Sequence, residues 1–151
     1  MSRHEETDRA LAWELHVELA SRITSVELRP DEGLLSEVLD SLYSVFATAR
    51  RALADHRPAS EATEDSVHHL VINLLNKGIR PFLAYWHRMY VEHQDRRPAG
   101  VTVFDHEQAW EHKDRFRAEL ADLQVLLRDV ARRLAELANA TSLLATAGGV
   151  R

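Results

Sequence analysis

The amino-acid sequence predicts an all-α protein, specifically an up-and-down antiparallel four-helix bundle with long helices. Two observations support this prediction. Apolar residues recur every three to four positions through four long segments, and short stretches that contain proline or glycine separate those segments. The 151 residues suffice for about one domain, so we expect residues 1–151 to form a single bundle whose ends, about 1–7 and 141–151, are frayed.

The first two predicted helices each have a continuous apolar stripe. Helix one runs from about residue 8 to residue 28 and ends before Pro30, which cannot continue a helix. Its apolar positions are Leu11, Leu15, Leu19, Ile23 and Val26. Helix two follows Asp31, a good N-cap residue. Its apolar positions alternate in steps of four and three, at Leu35, Leu39, Leu42, Phe46, Ala49 and Leu53. This heptad spacing predicts packing along the whole helix.

Helix three is predicted to begin at Thr63 and to contain a disturbance in its middle. The residues expected to point inward are Val67, Val71, Leu74, Phe82, Trp86 and Met89. Gly78 and Pro81 fall between them, and Pro81 lacks the amide that would bond to the carbonyl of Lys77. We therefore expect the third helix to be kinked or broken near Gly78 and Pro81.

Helix four has the most regular pattern in the chain. Asp105 stands three residues before Gln108, a capping-box arrangement that predicts the start of the helix. Its apolar positions then repeat in steps of four and three through Phe116, Leu120, Leu123, Leu127, Val130, Leu134 and Leu137. A 3.5-residue period specifies helices that cross at about 20°, the geometry of antiparallel bundles.

Charge and composition exclude several classes of protein. The chain has 19 Lys and Arg against 24 Asp and Glu, and a net charge of −5 argues against nucleic-acid binding, which needs a clustered positive field. The arginine pairs are local: Arg50–Arg51, Arg96–Arg97 and Arg132–Arg133. Without cysteine there are no disulfides or thiolate metal sites. Acidic residues interrupt the first thirty positions and no long apolar run follows, so we expect a cytoplasmic protein without membrane contact.

The sequence predicts no cofactor, no metal site and no catalytic residue. The five glycines are scattered, so none of the known phosphate-binding loops can be built from them. The metal-binding spacings E-x-x-H, H-x-x-H and H-x-x-x-H do not occur in the sequence. Near the start of helix four, we interpret Glu107 and Glu111 as solvated acids that complement the helix dipole. His16, at the edge of the first stripe, is interpreted as a core or boundary histidine with satisfied hydrogen bonds.

Helix three also carries a polar stripe opposite its apolar one. At 100° per residue, five side chains fall within about 60° of one another: His69, Asn73, Asn76, Arg80 and His87. These groups are specific hydrogen-bonding groups, unlike the Glu and Lys of an ordinary solvent face. With the neighbouring Trp86 they are the candidate binding residues, and a merely solvated face is the alternative.

The run from Leu75 to His87 resembles a motif, L-N-x-x-[LI]-R-P-x-L-x-x-W-H, of an uncharacterised family of all-helical actinobacterial proteins. The ranges 27–46 and 106–110 are also similar to that family. The resemblance implies a link to bacterial conflict or antiphage systems and no established activity. It directs attention to Asn76, Arg80, Trp86 and His87, which could alternatively lock the bend at Pro81 and bind nothing.

These observations favour one function and leave a second open. The first is a non-enzymatic interaction module, an adaptor or regulatory subunit, that uses the polar stripe or an uncovered part of the helix-four stripe for a protein partner or for self-association. The alternative is a small-molecule or nucleotide sensor or enzyme. Its pocket would open at the helix-three kink, with Arg80 as anion anchor and His87 as donor or general base.

Overall fold

Every regular element is helical in the part of the chain that the computed structural model describes, residues 3–22, 29, 32–58 and 66–144. The all-α prediction is confirmed. In chain order the helices are α1 (Arg3–Ala20), α2 (Leu35–Asp55), α3 (Val67–Asn73), a π-helical segment (Leu74–Ile79), α4 (Arg80–Asp95), α5 (Val103–Gln108) and α6 (Lys113–Leu137). None of the described helices combines the length and apolar content needed to cross a membrane.

The predicted disturbance in helix three is a widened turn and not a break. The π segment continues directly from α3 into α4, and the amide of Arg80 bonds to the carbonyl of Leu75, five residues back. The longer hydrogen-bonding step accommodates Pro81, whose missing amide would leave a gap in an α-helical ladder. Gly78 lies inside the segment because the space is tight: a Cβ there would lie 2.9 Å from Cδ2 of Leu126 on α6.

The long fourth helix does not begin at Asp105 as the sequence predicted. The hydroxyl of Thr102 accepts a hydrogen bond from the amide of Asp105 at 3.1 Å and caps the short helix α5. Helix α5 ends at Gln108, and α6 starts at Lys113 after a turn. The N-cap residue is therefore Thr102, three residues before Asp105. The capping-box interpretation of Asp105 and Gln108 was wrong.

The two ends extend further than the expected frayed boundaries. Residues 3–7 belong to α1. Asn139 has a φ of 55° and ends α6 in a Schellman motif, in which its amide bonds to Glu136 and the next amide bonds to Ala135. Leu144 then packs against the core. The predicted helix-one residues Ile23 and Val26 and the predicted helix-three start at Thr63 lie outside the described residues.

The long helices pack around one core, and α4 runs antiparallel to α6. Helix α1 packs against α2 and α6, α2 packs against α4, and α6 packs against α3 and the π segment. Contacts from the π segment and α4 to α6 show the direction: Trp86 on α4 bonds to Glu119, whereas the earlier Gly78 lies beside the later Leu126. The predicted apolar stripe of helix four is buried from Phe116 to Leu134. That stripe is therefore covered within the chain itself.

Candidate functional site

Helix α2 presents an exposed aromatic and basic face beside its buried stripe. Tyr43 is 43% exposed, and Phe46 is partly buried. One turn later Arg50 and Arg51 are both exposed. The heptad stripe explains the arrangement, because positions that immediately flank buried residues on a helix lie at the edge of its contact with the next helix.

Helix α4 supplies the opposite wall with its own exposed residues. Arg80, Ala84 and His87 are spaced by four and three residues and therefore share one side of the helix. The guanidinium carbon of Arg80 lies 4.9 Å from the centre of the Phe46 ring, a cation–π contact. Nδ1 of His87 lies 2.7 Å from the hydroxyl of Tyr43, and this hydrogen bond joins the two helices.

A groove, here named the α2–α4 groove, begins between these two walls, where its volume is about 230 Å³. It continues as an open depression of about 630 Å³ that is lined by α2 residues alone. Tyr43 and Phe46 line both parts, so the groove is continuous. Its lining is Tyr43, Phe46, Ala47, Thr48, Arg50, Arg51, Ala54, Asp55, Arg80, Leu83 and Ala84. Aromatic, small and basic side chains therefore dominate a surface between two rigid helices.

Within the described part of the chain, the groove arginines lack the carboxylate partners that some other arginines have. Among the described residues, no carboxylate lies within 4.0 Å of the guanidinium groups of Arg50, Arg51 or Arg80. Elsewhere, ion pairs join Arg22 to Glu18 at 2.6 Å, Arg115 to Glu119 at 3.6 Å and Arg132 to Asp129 at 3.2 Å. Among the described residues the groove thus concentrates positive charge that no carboxylate pairs, on a chain whose net charge is −5.

Only part of the candidate binding set is brought together. Arg80 lines the α2–α4 groove, and His87 bonds to Tyr43 beside it. Trp86 is buried, as the apolar stripe predicted, and its indole N–H donates to Glu119 at 2.5 Å on the α6 side. All five stripe residues are exposed, but a π turn contains about one extra residue that an extrapolation at 100° per residue leaves out. Residues after the π segment are therefore rotated relative to those before it.

The remaining predicted residues precede Arg80 on the same helix and are exposed. His69 is near the start of α3, where its Nδ1 lies 3.0 Å from the hydroxyl of Ser66. Asn73 ends α3 and Asn76 lies in the π segment, both exposed to solvent. Their exposure fits the predicted solvent-facing stripe, but the groove lining does not include them.

A second groove lies on the other side of the π segment. This α4–α6 groove encloses about 460 Å³, and Gly78, Pro81 and Trp86 form part of its lining. Its cation is Arg115, which lies over the Tyr85 ring at 5.1 Å and pairs with Glu119. The predicted pocket at the helix-three disturbance is therefore present as a groove, but Arg80 and His87 do not line it.

A buried polar cluster, here named the cap cluster, joins α5 to α2 and α4. Glu107 is 1% exposed; its carboxylate accepts hydrogen bonds from the amide of Leu35 at 2.9 Å and from the hydroxyl of Tyr90 at 2.5 Å. The interpretation of Glu107 as a solvated acid was wrong, because it satisfies the first turn of α2 and not that of its own helix. Burial and the hydrogen bond to Glu107 raise the pKa of Tyr90.

Two stacked histidines complete the cap cluster. The rings of His93 and His106 are 3.7 Å apart and nearly parallel, and Trp110 stacks on His93 with ring centres 5.3 Å apart. Nε2 of each histidine donates to the backbone carbonyl of the other, both at 2.7 Å. Within the described ranges, no three potential metal ligands converge. The cluster therefore fixes the ends of α2 and α4, which frame the α2–α4 groove.

His16 is a second buried polar link, and its predicted role as a satisfied core histidine is confirmed. Its ring is 0% exposed. Nδ1 donates to the carbonyl of Ala131 at 2.6 Å, and Nε2 accepts from the amide of Leu143 at 2.9 Å. A carbonyl can only accept and an amide can only donate, so the imidazole is neutral in this arrangement. It joins α1, α6 and the segment after α6.

Comparisons with protein-family models, with curated proteins and with solved structures give no match. The function is therefore argued from the site itself. Sequence reasoning did not identify the α2 wall of the groove, formed by Tyr43, Phe46, Arg50 and Arg51. A usable signal was present, because an arginine pair follows two aromatic residues by one and two helical turns.

Proposed function

We propose that the protein is a non-enzymatic helical interaction module, an adaptor or regulatory subunit, that binds a helical segment of a partner protein in the α2–α4 groove. The observation that carries the proposal is the groove itself: exposed aromatic and basic side chains on two helices held at a fixed spacing. Helix-in-groove recognition uses such a surface, with apolar contacts for affinity and flanking charges for orientation.

The dimensions of the groove suit a short partner helix. From Tyr43 to Ala54 the α2 wall spans eleven residue steps, or about 17 Å at a rise of 1.5 Å per residue. This length accommodates about three turns of helix. Ala47, Ala54 and Ala84 have small side chains, which permit close approach of another backbone.

The lining favours recognition over catalysis. Its polar groups are three guanidiniums, the hydroxyls of Tyr43 and Thr48, and the exposed carboxylate of Asp55. The imidazole of His87 lies beside the groove and bonds to the Tyr43 hydroxyl. Guanidinium groups stay protonated and serve as donors and not as general bases. The same proposal includes an up-and-down four-helix bundle, in which α3, the π segment and α4 act as one helix and α5 closes one end. The antiparallel contacts between neighbours support that arrangement.

The cellular setting is part of the proposal. We place the module in the bacterial cytoplasm, and the resemblance of residues 75–87 to actinobacterial helical proteins adds a role in conflict or antiphage systems. The resemblance draws attention to Arg80 and His87, which are the two motif residues that contact the α2 wall.

Site-specific photo-crosslinking in a host cell tests the proposed function. A benzophenone amino acid is introduced at Ala84 in the groove and, as a matched control, at Ala121, which is exposed on α6. We expect a partner adduct at position 84 that is absent at position 121 and maps to one helical segment of the partner. Equal or absent labelling at the two positions would refute a groove-binding module. If no protein adduct forms at position 84 but ATP raises the melting temperature of the purified protein, the nucleotide-sensor alternative is supported instead.

A further inference from the structure

We infer that the segment bound in the α2–α4 groove is acidic: an amphipathic helix whose carboxylates pair with Arg50, Arg51 and Arg80. This inference rests on the proposed function and specifies the chemistry of the partner. Three guanidinium groups line one groove, and the part of the chain described structurally brings no carboxylate within ion-pair distance of them. A partner with complementary charge would neutralise them on binding.

Arg80 is already oriented for a carboxylate. Its guanidinium lies over the Phe46 ring at 4.9 Å, which restricts the orientation of a long side chain before any ligand arrives. A guanidinium in a cation–π contact keeps its N–H donors, and these match the two oxygens of a carboxylate. The aromatic contact thus reduces the side-chain conformational entropy that Arg80 loses when it forms an ion pair. A mobile surface arginine would lose all of that entropy on binding.

The apolar floor requires that the partner be amphipathic and not merely acidic. Leu83, Ala47 and Ala84 line the same groove as the arginines, and the exposed ring of Tyr43 lines it with them. A highly charged flexible chain would leave this surface uncovered. A helix with carboxylates on one side and leucine-type residues on the other covers the floor and reaches the arginines at once.

The acidic character of the remaining surface adds selectivity. The chain has a net charge of −5, so an acidic segment is repelled by most of the molecule and attracted at the groove. Specificity requires such unfavourable alternatives as well as a favourable site. A basic partner segment would experience the opposite preference and would be directed away from the groove.

Selection from a displayed library of random 16-residue peptides against the full-length chain tests the inference. The wild-type protein is compared with the triple variant R50Q/R51Q/R80Q and with A84W, which blocks the groove. Controls are R128Q/R132Q/R133Q, which makes the same change of net charge on α6, and A121W, an equivalent exposed alanine. Circular dichroism and thermal unfolding establish that each variant is folded.

We expect the enriched peptides to be acidic and amphipathic and to lose binding to A84W. Their affinity for the groove triple variant should fall at least about tenfold at low salt, as expected for three exposed ion pairs. The α6 triple variant should bind nearly as well as the wild type. Raised ionic strength should remove most of the difference between the wild type and the groove variant.

The outcomes separate this inference from the proposed function. If enriched peptides need the groove but are neutral or basic, or bind R50Q/R51Q/R80Q as well as the wild type, the acidic inference is overturned and the interaction module stands. If no enriched peptide distinguishes A84W from A121W, both are overturned. Equal losses with the groove and α6 triple variants would show only a net-charge effect and would also overturn the inference.

Discussion

The cap cluster and the α2–α4 groove both place polar groups between helices, but they differ in how those groups are satisfied. In the cap cluster, Glu107 is buried and each of its carboxylate oxygens accepts a hydrogen bond. In the groove, Arg50, Arg51 and Arg80 are exposed, and no described carboxylate pairs with them. The Glu107 carboxylate is thus hydrogen-bonded within the protein, whereas the groove guanidiniums keep N–H donors available for a ligand.

This difference separates residues that hold the fold from residues available for recognition. A buried polar group left without a partner costs free energy, so the cap cluster is constrained by stability. An exposed arginine costs little whether or not it is paired, so its position in the groove is not required for folding. Variants in the two regions should therefore affect different measurements, with the largest effect on stability in the cap cluster.

The largest expected effect follows removal of the Glu107 carboxylate. Glu107→Ala leaves the amide of Leu35 and the hydroxyl of Tyr90 without their acceptor inside the protein. We expect unfolding to require about 3 kcal/mol less free energy, measured by urea denaturation. Glu92→Gln, which alters a half-exposed acid 4.0 Å from Arg88, serves as control and should change the value by less than about 0.5 kcal/mol. Equal effects would remove the distinction between the two regions.

The helices were predictable from sequence because apolar periodicity involves residues that are close together in the chain. The heptad spacing of α2 and α6 placed Leu39, Leu42, Leu120 and Leu127 in the core, where all four are buried. The effect of Pro81 was predictable as a disturbance, because proline lacks an amide wherever it stands. Its form was not, since a π turn depends on the close packing of Gly78 against α6.

The groove and the cap cluster were harder to predict from the sequence because both depend on contacts between residues that are distant in the chain. A helical wheel shows that Tyr43 and Arg80 are exposed, but not that the faces of α2 and α4 adjoin. Likewise, Glu107 resembles any acid near a helix start, and its bond to Leu35, 72 residues earlier, is a property of the tertiary structure. Periodicity identified the faces, and packing determined which faces meet.

The histidine pair offers a second test of the cap cluster. His93 and His106 each donate to the other's backbone carbonyl, and their rings stack at 3.7 Å. We expect His93→Ala and His106→Ala to lower the free energy of unfolding by about 1.5 kcal/mol each. The double variant should lose less than the sum, with a coupling of about 1 kcal/mol. Strict additivity would show that the two rings act independently.

The raised pKa of Tyr90 predicts a smaller effect that depends on pH. Because burial and Glu107 favour the protonated phenol, its stabilising contribution is complete below about pH 10, the ordinary value for tyrosine, and is lost as the pH rises further. Tyr90→Phe should cost about 1 kcal/mol at pH 7 by loss of the hydrogen bond. Above pH 10 the difference between wild type and variant should shrink in urea denaturation. A difference that grows with pH would contradict this assignment.

The smallest effect on stability is expected in the groove. R50Q/R51Q/R80Q removes one cation–π contact with Phe46 but also removes repulsion among neighbouring positive charges. These contributions oppose each other, so the free energy of unfolding in urea should change by less than about 0.5 kcal/mol. A loss above about 1 kcal/mol would identify the arginines as structural and would remove the basis for assigning the groove to recognition. An unchanged value combined with lost peptide binding would instead establish that these side chains act on a partner and not on the fold.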